Sequence, residues 1–262
     1  SAGRIGGGHR ARVARPCRRE PRAVPLPSAS IGSYPADMSA PVPDVDRSVP
    51  FDEAVSALMD LLRRREDGSS DRWRRQGALV VVDGPTGAGK TTLAHSFVGA
   101  LARGNASYGA RVLELEAVVP GWDGLAEGVR RCAGLLADLD CGRPAHAPRW
   151  NWHSMRPGGR VSLPPLAGGL LVLEGCGALA AAAQPLRGLV AVRVWVTAPP
   201  RTRRARIAAR DAYGWDVSAW EVQERSLARA WRNRAGLGPD LVVDSRDGPA
   251  TALGTPTESR RE

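Results

Sequence analysis

The sequence predicts an α/β fold built on buried parallel strands, and two observations lead to this prediction. First, residues 78–82 form a short apolar, β-branched run that ends at Asp83, as is typical of a buried parallel strand. Second, a glycine-rich turn follows, and residues 92–101 then place apolar side chains on one helical face. Further short apolar runs at 111–116, 169–175, 189–196 and 241–243 are predicted to be strands of the same domain.

The turn after the first of these strands fits the phosphate-binding pattern G-x-x-x-x-G-K-[ST] at every fixed position. Such a loop directs backbone N–H groups at phosphate oxygens, and the following helix adds the partial positive charge of its N-terminus. A chance glycine-rich turn is the alternative, but a strand and a helix flank the loop in register. The residues predicted to bind ATP are Gly84, Pro85, Thr86, Gly87, Ala88, Gly89, Lys90, Thr91 and Thr92.

Lys90 is the only lysine in the chain, in which the other 36 basic residues are arginines. A slim ammonium fits beneath phosphates where a planar guanidinium does not. We therefore expect Lys90 to contact the β- and γ-phosphates and the Thr91 hydroxyl to bind Mg²⁺. Glu174 ends the apolar run 170–173, and an acid at that position orients Mg²⁺ or its water in proteins with such a loop.

The net charge of +10 is concentrated at the N-terminus, because residues 1–36 carry seven arginines against Glu20 alone. The remainder carries only +4, so the composition does not favour nucleic-acid binding, except through the N-terminal arm.

No apolar run approaches about 18 residues, which argues against a membrane span. The four cysteines form no C-x-x-C pair, so free thiols in a reducing cytoplasm are expected, and no signal peptide is apparent.

The predicted domain comprises residues 49–245, with an added N-terminal helix at 51–65 packed at the edge of the sheet. Residues 1–48 and 246–262 are rich in small and polar residues and are predicted to be disordered. Two alternatives remain open for the first segment. It is an arginine-rich arm that binds RNA or acidic lipid, or the native protein begins at Met38.

Candidate acceptor-binding residues lie in two loops. Trp122 and Asp123 follow a predicted strand at the end where open α/β sheets bind ligands, although Asp123 is equally well explained as a helix N-cap. Residues 141–169 are predicted to be irregular, and they contain Trp150 and Trp152, which could stack a planar ligand or anchor the loop.

An arginine-dense segment at 201–211 is predicted to form a lid. Arg203, Arg206 and Arg210 share a helical face, and Arg204 lies on another. Arginines that close over a transferring phosphate accelerate such reactions by about 10³–10⁵. A solvated helix in an arginine-rich chain is the alternative. Arg203, Arg204 and Arg210 are our candidates for the functional set.

Residues 83–92, 171–175 and 198–204 together resemble the uridine-kinase-like branch of the P-loop small-molecule kinases. The resemblance covers about residues 75–245, and the segments 120–125 and 150–152 look like those of bacterial members of that branch. It implies a three-layer P-loop NTPase fold with a mostly parallel five-stranded sheet, MgATP as phosphoryl donor, and a small hydroxylated acceptor, with nucleosides among the candidates.

The resemblance also implies an acid at the end of the second strand that activates the acceptor hydroxyl. In that branch the acid often belongs to an Asp-Asp pair followed by an aromatic residue. Here only Glu116 matches, because Ala117, Val118 and Val119 follow it. Glu116 is the candidate base, with Asp123 as a substitute. This departure leaves two other functions open: an ATP-binding regulatory protein with a degenerate acceptor site, and a nucleic-acid-stimulated ATPase.

Overall fold

The computed structural model describes residues 48–104, 108–232 and 237–248. The predicted N-terminal arm, apart from Ser48, and the predicted tail beyond residue 248 lie outside these residues. The described elements, in chain order, are β1 (Val49–Pro50), α1 (Phe51–Asp67), α2 (Ser70–Gln76), β2 (Ala78–Asp83), α3 (Lys90–Arg103), β3 (Arg111–Glu114), α4 (Leu125–Asp140), β4 (Ala145–Asn151), β5 (Arg156–Leu163), β6 (Leu170–Glu174), α5 (Ala178–Ala181), β7 (Val190–Thr197), α6 (Pro200–Arg210), α7 (Val217–Arg232) and β8 (Leu241–Asp244).

The main sheet is parallel throughout and has the strand order β1-β8-β7-β2-β6-β3, which confirms the predicted α/β class. It contains six strands, so the predicted count of five was wrong. The additional strand is β1, where Val49 pairs with Val243 and Pro50 with Asp244. A two-residue strand has no sequence periodicity to detect, and proline is tolerated there because the strand lies at the edge.

Helices cover both faces of the sheet, because successive side chains of a strand point to opposite faces. On β2, Val80 and Val82 pack in a core with α1 and α3, whereas Leu79 and Val81 pack in a second core with α4, α5 and α7. α1 therefore contributes to the α3 face of the sheet as well as to its edge. The resulting three layers place the carboxyl end of β2 at the centre of the sheet, between β6 and β7.

Residues 141–169 contain an antiparallel hairpin of β4 and β5, so the predicted irregular region was wrong. Its register shifts between Pro148 and Trp150, which is how the strand accommodates a residue that cannot donate a ladder hydrogen bond. The hairpin stands apart from the main sheet and buries only one face, through residues such as Ala147 and Val161. Along part of each strand of the hairpin buried and exposed residues alternate, but the prolines and glycines made this pattern hard to recognise in the sequence. No helix within the described ranges is long and apolar enough to span a bilayer.

Candidate functional site

The phosphate-binding loop connects the carboxyl end of β2 to the first residue of α3 at the centre of the sheet. Gly87 and Gly89 have φ values of +76° and +94°, a backbone conformation that residues other than glycine rarely adopt. A Cβ atom at Gly87 would lie 2.6 Å from the carbonyl oxygen of Arg203. Glycine is therefore required for the loop to curl beneath α6.

Asp83 connects the beginning of this loop to the segment that follows β6. Its buried carboxylate accepts hydrogen bonds from the amides of Gly84, Gly177 and Leu179 at 2.6, 2.9 and 2.9 Å. Burial raises the pKa of Asp83, while the three amide donors and Lys90 act in the opposite direction. Asp83 thus holds the loop against the neighbouring strand end, a role that was not assigned from the sequence.

Lys90 is buried beneath the loop, where its Nζ atom donates to the carbonyl of Pro85 at 3.1 Å and to Cys176 Sγ at 3.2 Å. Burial by itself would lower the pKa of this ammonium, but the surrounding acidic groups, including Glu224 and Glu174, raise it on balance. Burial also holds the pKa of the Cys176 thiol well above its usual range, so the thiol is neutral near pH 7. Lys90 is consequently a fixed positive charge.

Thr91 and Glu174 meet beside Lys90, since Thr91 Oγ1 donates to Glu174 Oε1 over 2.9 Å. Two oxygens at right angles around Mg²⁺, each 2.0–2.1 Å from the ion, also lie about 2.9 Å apart. Burial raises the pKa of Glu174 to about 7, and the nearby ammonium opposes this rise. Thr92 Oγ1 is buried without a hydrogen-bond partner, next to the loop where an α-phosphate is expected.

These oxygen donors fit a magnesium ion that takes its remaining ligands from phosphates and water. Within the described part of the chain, no group of three or more His, Cys, Asp or Glu residues is placed to hold a metal ion by itself. The two predicted metal ligands are therefore adjacent, while the metal role itself stays a prediction.

The outer side of the loop is held by α6 and α7. Arg203 Nη1 donates to the carbonyl of Thr86 at 3.0 Å and to Glu221 at 3.1 Å, and Arg206 donates to Ser245 and Gly248. Arg203 is buried by these contacts, so it braces the loop instead of moving as a lid. Arg204 is exposed, and its side chain contacts Glu221 at 3.4 Å.

Glu224 contacts the same loop from α7, through a hydrogen bond of 2.9 Å from the amide of Thr86 to Oε1. Its other oxygen, Oε2, is buried without a partner. Burial raises the pKa of Glu224, whereas Lys90 and Arg203 lower it. Glu224 was not predicted from the sequence, because 138 residues separate it from Thr86 and its helix shows only an amphipathic pattern.

On the other side of Lys90, Glu116 lies in a short 3₁₀ helix, Leu115–Val118, that follows β3. The strand was predicted to run to Glu116 but ends at Glu114, so that boundary was wrong. Its side chain is exposed, and its charge contributes to the pKa values of Lys90, Glu174 and Arg210. Arg210 is oriented by Asp211, to which it donates over 2.7 and 3.0 Å. The hydrogen bond to Asp211 is the main reason that the pKa of Arg210 is raised.

Asp123 is exposed, and α4 has its N-cap at Gly124 with no side-chain capping bond. The N-cap interpretation of Asp123 was therefore wrong. Among the described residues, no hydrogen bond or ion pair connects Asp123 to Glu116 or Lys90. Its catalytic role remains a prediction without support from these contacts.

An aromatic cluster stands next to Glu116. The Trp122 ring lies 4.9 Å from Trp152 and stacks on Trp215 at 5.0 Å with an interplanar angle of 18°. Trp220 and Tyr213 complete the cluster. Trp152 Nε1 also donates to the backbone carbonyl of Glu116 at 2.9 Å, which connects the cluster to the predicted base.

Trp150 does not belong to this cluster, because it lies within β4, where its ring borders Gly121. Of the three tryptophans predicted to bind the acceptor, the fold thus groups Trp122 and Trp152 and separates Trp150 from them. Tyr213 and Trp215 were missed, although they directly follow Asp211 in the sequence and connect α6 to α7.

Comparisons with known proteins bear on the fold alone. No family model matches the chain, and no curated protein is significantly similar to it in sequence. A solved structure of a possible uridine kinase from Bacillus stearothermophilus is 17% identical, with a TM-score of 0.43, and the match covers 70% of this chain and 99% of the other. A protein from Silicibacter sp. TM1040, provisionally assigned as a fructose transport system kinase, is 19% identical, with a TM-score of 0.46 and coverages of 72% and 98%.

The strand–loop–helix unit of β2, residues 84–91 and α3 lies at the centre of a parallel sheet that helices cover on both faces. The chain has a P-loop NTPase fold. The loop, Lys90 and Glu174 lie together at the carboxyl end of β2, and their binding of phosphate and Mg²⁺ stays a prediction.

Proposed function

We propose that this protein is an ATP-dependent phosphotransferase that moves the γ-phosphoryl group of MgATP to a hydroxyl of a small metabolite. One observation carries the proposal. Lys90, the Thr91–Glu174 pair and Glu116 converge at the carboxyl edge of the sheet, close enough for Glu116 to influence the pKa values of Lys90 and Glu174. An exposed carboxylate therefore lies within electrostatic reach of the ammonium and the acid at the loop.

The donor side of this site would act by position and charge. The amides of residues 87–91 would bind phosphate oxygens, and Lys90 would neutralise the charge that develops on the transferring group. Thr91 and Glu174 would hold Mg²⁺, which supplies further charge neutralisation when bound. Because Lys90 is already buried and held by two contacts, little reorganisation is needed before phosphate enters.

The acceptor side would centre on Glu116. Its exposed carboxylate would accept the proton of the acceptor hydroxyl, and Arg210, held by Asp211, would balance the negative charge nearby. The aromatic cluster would exclude water from one side and offer ring edges to an apolar or planar part of the acceptor. This arrangement favours an acceptor with a planar or sugar-like body, with nucleosides among the candidates.

The decisive experiment measures ADP release from MgATP in the presence of a panel of nucleosides, sugars and vitamins. We expect one class of acceptor to stimulate ADP release, Lys90→Ala to abolish it, and Glu116→Gln to lower turnover by about 10²–10⁴ while leaving ATP affinity unchanged. Full turnover in Glu116→Gln would exclude Glu116 as the base. The absence of magnesium-dependent ATP binding would refute the proposal as a whole.

A second candidate function is that of an ATP-binding regulatory protein without acceptor chemistry. It is favoured by Val118 and Val119, which are buried in the core and cannot contact an acceptor. In this case the same assay would show ATP binding without stimulation by any member of the panel. Stimulation by RNA or DNA alone would instead indicate a nucleic-acid-dependent ATPase.

A further inference from the structure

A cavity of about 420 Å³ lies on the opposite side of the sheet from α3, between α7 and the carboxyl ends of β7 and β8. Its volume falls within the range of about 300–1,000 Å³ that is typical of small-molecule sites. The cavity reaches the back of Gly84 and Pro85, but Lys90, Thr91 and Glu174 do not line it. It therefore adjoins the phosphate-binding loop at Gly84 and Pro85 but does not include Lys90 or the two predicted magnesium ligands.

Positive charge dominates the cavity lining. Five arginines face three acids, and each acid is already engaged. Asp83 accepts its three backbone amides, Asp244 pairs with Arg246 at 2.6 Å, and Glu224 accepts the Thr86 amide through Oε1, while its Oε2 atom has no hydrogen-bond partner. The five arginines are Arg203, Arg225, Arg229, Arg232 and Arg246.

Little of the remaining charge is neutralised. Glu221 is shared among Arg203, Arg204 and Arg225, with the last of these 4.0 Å away. Among the residues that the structure describes, no carboxylate lies within ion-pair distance of Arg229 or Arg232. The cavity thus offers guanidinium groups that have no acidic partner in this part of the chain.

Arg232 is held in an orientation suited to an anion. Its guanidinium carbon lies 5.3 Å from the ring centre of Trp195 and 5.4 Å from that of Trp231. Its Nε atom is buried and has no hydrogen-bond partner. A guanidinium that rests on aromatic rings keeps its N–H groups available at its edge, where phosphate and carboxylate bind in a bidentate manner.

The rest of the lining indicates that the ligand has an organic part. Trp195, Ala198, Pro199 and Ala228 provide apolar surface beside the arginines. The Nε1 atom of Trp195 is also buried without an acceptor, which adds a second unused donor near Arg232. An inorganic anion alone would fill only a small part of 420 Å³ and would leave this apolar surface in contact with water.

From these observations we infer that the cavity is a second binding site, for a small phosphorylated metabolite with a planar or apolar body, of about the size of a nucleoside monophosphate. Arg232 and Arg229 bind the phosphate group, and Trp195 contacts the body. Arg229, Arg232 and Trp195 are not among the residues proposed for phosphoryl transfer, so binding at this cavity can be measured without ATP turnover.

The test is calorimetric titration of the full chain carrying Lys90→Ala, which removes the ammonium of the phosphate-binding loop. AMP, inorganic phosphate and adenosine are the probes. We expect saturable binding of AMP, weaker binding of phosphate, and much weaker binding of adenosine, with AMP affinity falling as salt is raised. Adding Arg232→Gln should weaken AMP binding by about 10- to 100-fold, because a buried charged hydrogen bond is lost.

Arg229→Gln is a second variant in case Arg232→Gln does not fold, and we expect it to weaken AMP binding in the same direction. Arg75→Gln is the matched control, since Arg75 is exposed on α2 and should leave AMP affinity unchanged. The inference is overturned if the Lys90→Ala chain binds neither AMP nor phosphate, or if both cavity variants bind AMP as tightly as the control. Because the titration requires no ATP turnover, its result is independent of whether an acceptor is found.

Discussion

Replacing Glu174 with glutamine should stabilise the protein in the absence of magnesium and nucleotide. Burial raises the pKa of Glu174 from an ordinary value of 4.5 to about 7, and the opposing contributions of Lys90 and Thr91 do not cancel this effect. The folded protein therefore holds a proton on this group more tightly than the unfolded chain does. Stability is consequently lost as the pH rises from 4.5 to about 7, and no more is lost above that pH.

At about 1.4 kcal/mol per pH unit, ionising Glu174 costs about 3 kcal/mol of unfolding free energy at pH 8 and less than about 1 kcal/mol at pH 5. Glutamine has nearly the same shape, carries no charge and can still accept the hydrogen bond from Thr91. The Glu174→Gln variant should therefore exceed the wild type in stability by these amounts.

Urea unfolding in EDTA, followed by tryptophan fluorescence at pH 5 and pH 8, measures the difference. Glu53→Gln is the control, because Glu53 is an exposed carboxylate on α1, away from the loop and Glu174. If the unfolding free energies of Glu174→Gln and the wild type differ by the same amount at both pH values, the reasoning is refuted. Such a result would mean that the ionised carboxylate is not destabilised by burial.

Three further predictions follow from the geometry of the site. Gly87→Ala should abolish ATP binding and destabilise the fold by about 1–3 kcal/mol, because the residue needs a positive φ beside a carbonyl. Gly134→Ala is the control: it lies inside α4, its Cβ would meet nothing, and it should not lower the thermal unfolding temperature, since alanine favours a helix over glycine. Arg206→Gln should lower the unfolding free energy by about 2 kcal/mol in urea, through loss of its contacts with Ser245 and Gly248, and unchanged stability would contradict this. Trp215→Ala should raise the acceptor KM without changing ATP affinity, because it removes the ring that stacks on Trp122; a selective loss of ATP affinity would be inconsistent with that role.

Much of the fold could be predicted because its strands are continuous apolar runs that are buried on both faces. β2, β6 and β7 were recognisable in this way, and the loop after β2 added a fixed pattern. The hairpin of β4 and β5 was missed because it stands apart from the sheet and carries proline and glycine where a central strand would not. β1 was missed because a strand of two residues is too short to show the alternation of buried and exposed side chains.

Within the candidate site, residues could be predicted from the sequence where they lie close together in the chain or at the ends of paired strands. Lys90 and Thr91 are adjacent at the start of α3, and Glu174 ends β6, which pairs in parallel with β2. The loop after β2 therefore brings Thr91 to Glu174. The lid arginines were harder to assign, because helical spacing places Arg203 and Arg210 on one face but does not reveal their partners. Arg203 is held by Thr86 and Glu221, while Arg210 is held by Asp211.

The sequence by itself determined the strand, the phosphate-binding loop, the helix and the single lysine between them, because backbone conformation and burial at these positions depend on residues close in the chain. Only the tertiary structure decided that Glu224 contacts the loop, that five aromatic rings gather beside Glu116, and that arginines surround a second cavity. These features arise where helices from distant parts of the chain meet across the sheet, and side-chain charges and rings acquire their partners only after that packing is complete.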